Sequence, residues 1–120
     1  MSNNEISRVD YDNVEFDDQL AKINGRPFTG IVEASFDNGQ LEIELNYVDG
    51  LPSGIQRRWF SSGQLKEEWN SIRGQGSAWS RKWYESGAMM SERINENNCP
   101  VRMREWSDDG KLVSEMLAVK

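Results

Sequence analysis

Four glycines punctuate this chain at a near-constant interval: Gly39, Gly63, Gly87 and Gly110. Each closes a short polar group, DNG, SSG, ESG or DDG, and two residues later comes an apolar side chain: Leu41, Leu65, Met89 or Leu112. Tryptophan stands four residues before the last three glycines (Trp59, Trp83, Trp106), with Ser35 in the first copy. Glutamate stands five residues after all four: Glu44, Glu68, Glu92 and Glu115. A period in this range marks an array of supersecondary units, each too small to bury its own apolar face. A second set of turn signals alternates with the first: VDGLPSG at 48–54, the polar stretch 70–77 with Gly74 and Gly76, and NENNCP at 95–100. Glycine, asparagine and aspartate there supply positive φ and local hydrogen bonds.

Each unit therefore reads as strand, short turn, strand, longer turn. The predicted strands run over about 30–36, 41–47, 54–60, 64–70, 78–84, 88–94, 101–106 and 111–117. A two-residue type I′ turn needs positive φ at both central residues, which Ser62, Ser86 and Asp109 suit poorly. A three-residue turn with glycine in a left-handed bulge fits better. In that register Trp59 faces Leu65, Trp83 faces Met89 and Trp106 faces Leu112. Ile31, Leu45, Ile55, Trp69, Trp79 and Met116 are then expected on the same side. The charged residues Glu42, Glu44, Lys66, Glu68, Lys82, Glu92, Glu105 and Glu115 are expected on the other. The expected fold is all-β: one elongated antiparallel meander of about four hairpin repeats, in a single domain. The units lie at about 30–53, 54–77, 78–101 and 102–117 behind an irregular N-terminal cap, 1–29, with Leu117–Lys120 frayed.

NGRPFTG at 24–30, followed by units of the form G-x5-F-x-x-G-x-L-x-x-E, resembles the variant MORN repeat over about residues 14–117. It is similar in particular to YwqK-like antitoxin or immunity proteins of bacterial polymorphic toxin systems. Tryptophan replaces the usual tyrosine before the turn, and Ala78 and Arg102 stand where the third and fourth units would start with glycine. The resemblance implies an immunity protein that neutralises a cognate toxin by direct contact, as in contact-dependent growth inhibition. The alternative it implies is a MORN-type protein- or membrane-binding scaffold with no toxin partner.

Charge narrows the partner. The chain carries −6, and residues 1–21 hold Glu5, Asp10, Asp12, Glu15, Asp17 and Asp18 against Arg8 alone, which is −5 of it. An acidic protein is a poor match for nucleic acid or an anionic membrane and a good match for a basic protein, such as a nuclease domain. The expected partner is therefore a cognate protein toxin, with no nucleic acid and no membrane. The expected contact residues are Asp10, Asp12, Glu15, Asp17 and Asp18, with Glu42 and Glu44 on the adjoining unit. Arg57, Trp59, Arg81 and Trp83 form an alternative face, because basic and aromatic residues interleave there.

Catalysis is not expected. The chain has no histidine and one cysteine, Cys99, so it offers no zinc cluster, no Cys–His pair and no internal disulfide. Glu67 and Glu68 are adjacent on a strand and point to opposite faces, while Asp108 and Asp109 fall in a turn. No Gly-rich phosphate loop and no EF-hand spacing is present, so no cofactor is expected. The absence of a charged-then-apolar leader and of any long apolar run, with the single cysteine, fits a cytoplasmic location. A circular dichroism spectrum should be dominated by strand, at more than about 45% of residues. A helix-dominated spectrum would refute the repeat reading.

Overall fold

The computed structural model describes residues 7–73 and 75–118. Glu5 of the acidic segment, Gly74 of the second long turn, and Val119 and Lys120 of the tail lie outside the described residues.

The chain is all-β, with 63% of it in strands. The cap supplies β1 (Arg8–Asp10), a 3-10 turn (Tyr11–Asn13), β2 (Glu15–Asp17), β3 (Leu20–Ile23) and β4 (Arg26–Pro27). The repeats supply β5 (Gly30–Ser35), β6 (Leu41–Val48), β7 (Leu51–Pro52), β8 (Gly54–Trp59) and β9 (Leu65–Ser71). They continue with β10 (Ser77–Trp83), β11 (Met89–Glu96), β12 (Cys99–Trp106) and β13 (Leu112–Leu117). The eight long strands follow the predicted spans to within one or two residues. They pair in the order β5-β6-β8-β9-β10-β11-β12-β13, a meander.

The cap departs from the simple picture in two ways. β1 joins the large sheet beside β5 in parallel, which makes that sheet mixed, and β2, β3 and β4 form a small sheet of their own. The two sheets are sewn together at the β6–β7 turn, where Ala21 N–H donates to Gly50 O (2.8 Å) and Gly50 N–H donates to Phe28 O (2.8 Å). Gly50 has φ of 83°, and a Cβ there would meet the side chain of Leu20 and lie 2.9 Å from Ala21 O. No larger residue fits that junction.

The short turns are the three-residue type with a glycine bulge. Phe36 N–H donates to Gln40 O and Gly39 N–H to Phe36 O, and the same pair of bonds recurs at Phe60/Gln64, Tyr84/Ala88 and Ser107/Lys111. Gly39, Gly63, Gly87 and Gly110 take φ of 88°, 96°, 98° and 90°. The expected pairs Trp59–Leu65, Trp83–Met89 and Trp106–Leu112 are formed.

One step further in, a second irregularity overturns the expected division of faces. Arg58 pairs with Glu67 and Trp59 with Leu65, so Lys66 is an extra residue on its strand; Glu42, Met90 and Val113 are its counterparts in the other hairpins. An extra residue shifts the register by one, and a shift of one flips every side chain beyond it. Glu44, Glu68, Glu92 and Glu115 therefore lie on the tryptophan face, opposite arginines. Leu45, Trp69 and Met116 move to the other face, where Trp69 pairs with Gln56 and Met116 with Met103. Neither face is purely apolar or purely charged.

Burial is confined to the cap end. The buried apolar residues among those described are Ala21, Phe28, Ile31, Val32, Ile43 and Tyr47, with Val9, Val14, Ile23 and Leu45 packed against the cluster. From β9 onward no described residue is fully buried, and Trp59, Trp83 and Trp106 are half-buried. The Cα radius of gyration is 16.5 Å, against about 13.6 Å for a compact chain of this length. The array is a single layer of sheet with a core at one end.

Gln56 is the one buried polar side chain among the described residues, 1% exposed. The β6–β8 ladder stops after Glu44–Arg57, and the Gln56 amide takes over as a backbone surrogate. Its Oε1 accepts from Asn46 N–H, and its Nε2 donates to Asn46 O at 2.9 Å. Asn46 O keeps a second donor, Ser53 N–H at 3.0 Å, so replacing Gln56 with Leu should strand the Asn46 N–H and destabilise the fold by about 2 kcal/mol, measured by urea unfolding. A change below about 0.5 kcal/mol would show that water replaces the clip.

Candidate functional site

The sheet presents two faces with different chemistry. The first carries a single file of charges across seven strands. In register it runs Glu44, Arg57, Glu68, Arg81, Glu92, Arg104, Glu115, with Glu33 beside Glu44 at the cap end. Within each hairpin the pair is closed: Arg57 Nε to Glu68 at 2.7 Å, Arg81 Nε to Glu92 at 3.1 Å, Arg104 Nε to Glu115 at 2.7 Å. Glu33 and Glu44 are like charges directly opposite each other, an arrangement that repels. Arg8 from β1 bridges them at 2.9 and 3.1 Å. Its hydrogen bonds, to Glu44 first and Glu33 second, hold the guanidinium pKa above its usual range. Arg57 also reaches Glu44 at 3.7 Å, and Arg81 lies 4.5 Å over the Trp79 ring.

This file settles the position of several expected contact residues. Arg57 and Arg81, with Trp59 and Trp83 alternating along the same strands, do share a face. Their guanidiniums are engaged by glutamates and the tryptophans are half-buried. Glu44 likewise belongs to the ion-pair file and turns away from Glu42, with which the sequence reading grouped it.

The second face meets the cap in an open cleft of about 690 Å³. Tyr11, Asp12 and Phe16 form its cap wall, and Glu42, Arg58 and Trp69 stand among the sheet residues facing them. The aromatic rings are in series: Tyr11 to Phe16 at 5.3 Å between centroids and Phe16 to Tyr47 at 6.2 Å. Tyr11 and Phe16 are 44% and 38% exposed. Burial pushes the Tyr47 hydroxyl pKa up, with the nearby Tyr11 adding to the effect. Arg58 lies over the Trp69 ring at 5.8 Å and reaches Glu67 at 3.8 Å.

The five cap acids are all exposed, but they do different jobs. Asp10 caps the 3-10 turn by accepting from Asp12 N–H at 2.9 Å. Asp17 pairs with Lys22 at 3.3 Å. Asp18 takes φ of 57° in the β2–β3 turn, a conformation aspartate tolerates better than most residues. Glu15 points into solvent from β2. Asp12 is the one brought to the cleft, and Glu42 joins it from the strand bulge. Neither carboxylate has an ion pair or hydrogen bond among the described residues.

Tyr11, Phe16, Arg58 and Trp69 were not expected at the site. Tyr11 opens the 3-10 turn and Phe16 lies in β2 beyond it, so strand alternation could not relate them. Trp69 was assigned to the other face by the missed bulge. Among the described residues no cluster of three or more Cys, Asp or Glu is arranged to hold a metal ion. Cys99 is an exposed thiol at the start of β12.

Comparison with known proteins bears on the repeats. The family described as MORN repeat variant matches residues 28–49 and 52–72, the segments that contain β5–β6 and β8–β9. The two C-terminal hairpins repeat the same turn bonds and charge file outside the matched segments. Neither the curated proteins nor the solved structures yield a significant match.

The charge file predicts a specific sensitivity. Arg81→Glu sets three carboxylates in a row and should destabilise the protein by about 1 kcal/mol at low ionic strength. The loss should shrink in high salt, and Arg81→Gln, which removes the charge without adding a third carboxylate, should lose less. Chemical denaturation of the three proteins at two salt concentrations reads this directly. Equal losses in the two variants, unchanged by salt, would show that Arg81 acts through packing on Trp79 instead.

Proposed function

We propose that this chain is a non-enzymatic protein-binding module whose acidic N-terminal end docks a basic partner, and that the partner is a toxin domain which it neutralises in the cytoplasm. One observation carries the reading. The five exposed acids of the cap and the open cleft occupy the same end of the molecule, while the arginines of the repeat face are neutralised by their own glutamates. A basic partner thus meets four exposed cap acids without an ion pair among the described residues, Asp10, Asp12, Glu15 and Asp18, beside the cleft, whereas Asp37, Glu85, Glu105 and Asp108 are spread singly or in a turn along the array. Complementary charge of this kind speeds and steers association. Variant MORN repeats are consistent with a binding scaffold. The resemblance to YwqK-like immunity proteins supports the finer assignment to toxin neutralisation. The MORN-type scaffold without a toxin remains the competing reading, and it differs in predicting no protection from a toxin.

The test is coexpression with the toxin domain encoded by a neighbouring gene, followed by binding kinetics on the purified pair. The wild-type chain should restore growth. The variant Asp10→Asn, Asp12→Asn, Glu15→Gln, Asp17→Asn, Asp18→Asn should associate about tenfold more slowly at low salt and show a flatter salt dependence. Unprotected cells would overturn the toxin assignment. Identical association rates would remove the cap from the interface and return attention to Arg57, Trp59, Arg81 and Trp83.

A further inference from the structure

We infer that the cleft between cap and sheet receives an arginine side chain of the docking protein, its guanidinium against the rings of Tyr11 and Phe16 and within reach of the carboxylates of Asp12 and Glu42. The inference rests on the reading of the cap end as the docking surface and specifies what enters it.

Three properties of the cleft select this occupant. Its volume, about 690 Å³, lies in the range of about 300–1,000 Å³ typical of sites that enclose a ligand group, so one long side chain and its neighbours can be seated. Its cap wall is aromatic and accessible. Tyr11 and Phe16 are the aromatic members of the exposed large hydrophobic side chains among the described residues, and their rings sit 5.3 Å apart, tilted by 36°. An accessible ring face attracts a cation, and a guanidinium most of all because it is planar. Finally, the charges in the cleft are unbalanced. Its one cation, Arg58, pairs with Glu67 and lies over Trp69, while its two carboxylates, Asp12 and Glu42, have no partner among the described residues.

The same properties reject the alternatives. An anionic group would face two carboxylates. A purely apolar residue would take water from them with no hydrogen bond in return, which is costly. A lysine brings the charge but not the plane, so it can neutralise a carboxylate without stacking broadly on a ring. Arginine alone combines a flat face for Tyr11 and Phe16 with five donors for Asp12 and Glu42.

The probe is the capped pentapeptide Gly-Leu-Arg-Leu-Gly, compared with twins carrying citrulline or lysine at the centre. Each is titrated into the full chain while amide and indole NMR signals are followed. The arginine peptide should shift Trp69 and the Tyr11–Phe16 signals with millimolar affinity. The citrulline twin, equally flat but uncharged, should bind about tenfold more weakly, and the lysine twin should fall between them. The double variant Asp12→Asn/Glu42→Gln and, separately, Phe16→Ala should each weaken the arginine peptide at least about fivefold. All three positions are exposed, so well-dispersed spectra should persist. Indifference to citrulline, binding unchanged in Asp12→Asn/Glu42→Gln, shifts mapping to the Arg57–Arg104 face, or no shifts at about 10 mM peptide would each overturn the inference. These outcomes are separable from the wider reading. Arginine binding in the cleft without protection from a toxin would sink the toxin assignment alone. Protection that survives Asp12→Asn/Glu42→Gln would sink the arginine seat alone.

Discussion

The glycine bulge that closes each short turn, together with the extra residue just inside it, sets the position of nearly every side chain in the sheet. The turn aligns Trp59 with Leu65, Trp83 with Met89 and Trp106 with Leu112. The extra residue then advances the second strand by one, which in the last three hairpins brings the glutamate of the repeat across from an arginine. Without that step, Arg57 would face Glu67, and the charge file would not exist. The file matters because the distal hairpins have little else. They are one layer thick and have no fully buried residue among those described. Backbone pairing, half-buried tryptophans and cross-strand ion pairs carry what stability they have.

The cap solves two problems at the opposite end. It places Val9, Phe28 and Ala21 against Val32 and Tyr47, giving the sheet its only true core among the described residues. It also brings Arg8 between Glu33 and Glu44, where two like charges would otherwise repel. The cleft is a by-product of the way this cap sits. The 3-10 turn and β2 stand over the sheet face without closing on it, so Tyr11 and Phe16 complete an aromatic series toward buried Tyr47 and yet stay exposed. Rigid sheet on one side and a short, exposed segment on the other is a common arrangement for a binding surface.

Much of the array could be read in the sequence, because turn chemistry is local. Gly39, Gly63, Gly87 and Gly110 marked the turns, and asparagine, aspartate and glycine marked the intervening ones. Asn24-Gly25, Asp49-Gly50 and Asn97-Asn98 duly take positive φ at both positions. The faces could not be read so well. Glu42, Lys66, Met90 and Val113 share no residue type, so nothing in the letters announces a bulge, and one missed residue reverses every assignment beyond it. The cap was harder still. β1, β2 and β4 have three residues or fewer, too short for alternation to show, and the parallel pairing of β1 with β5 is a long-range event. The acids of the cap were legible as a group. That Asp12 shares the cleft with Glu42, while Glu44 serves the opposite face, depends on that unseen bulge.

The alternation in the charge file has a consequence for how such a chain can change length. Each of the last three hairpins contributes one arginine from its first strand and one glutamate from its second: Arg57 and Glu68, Arg81 and Glu92, Arg104 and Glu115. Duplicating or deleting one whole unit leaves the sequence of signs intact, adds no net charge to the file and requires no compensating substitution. Gaining or losing a single strand would set like beside like and leave a half-paired row across the sheet. The hairpin, not the strand, is therefore the quantum by which this array can grow or shrink through tandem duplication, and the cap with its cleft can ride on arrays of different length without being altered itself.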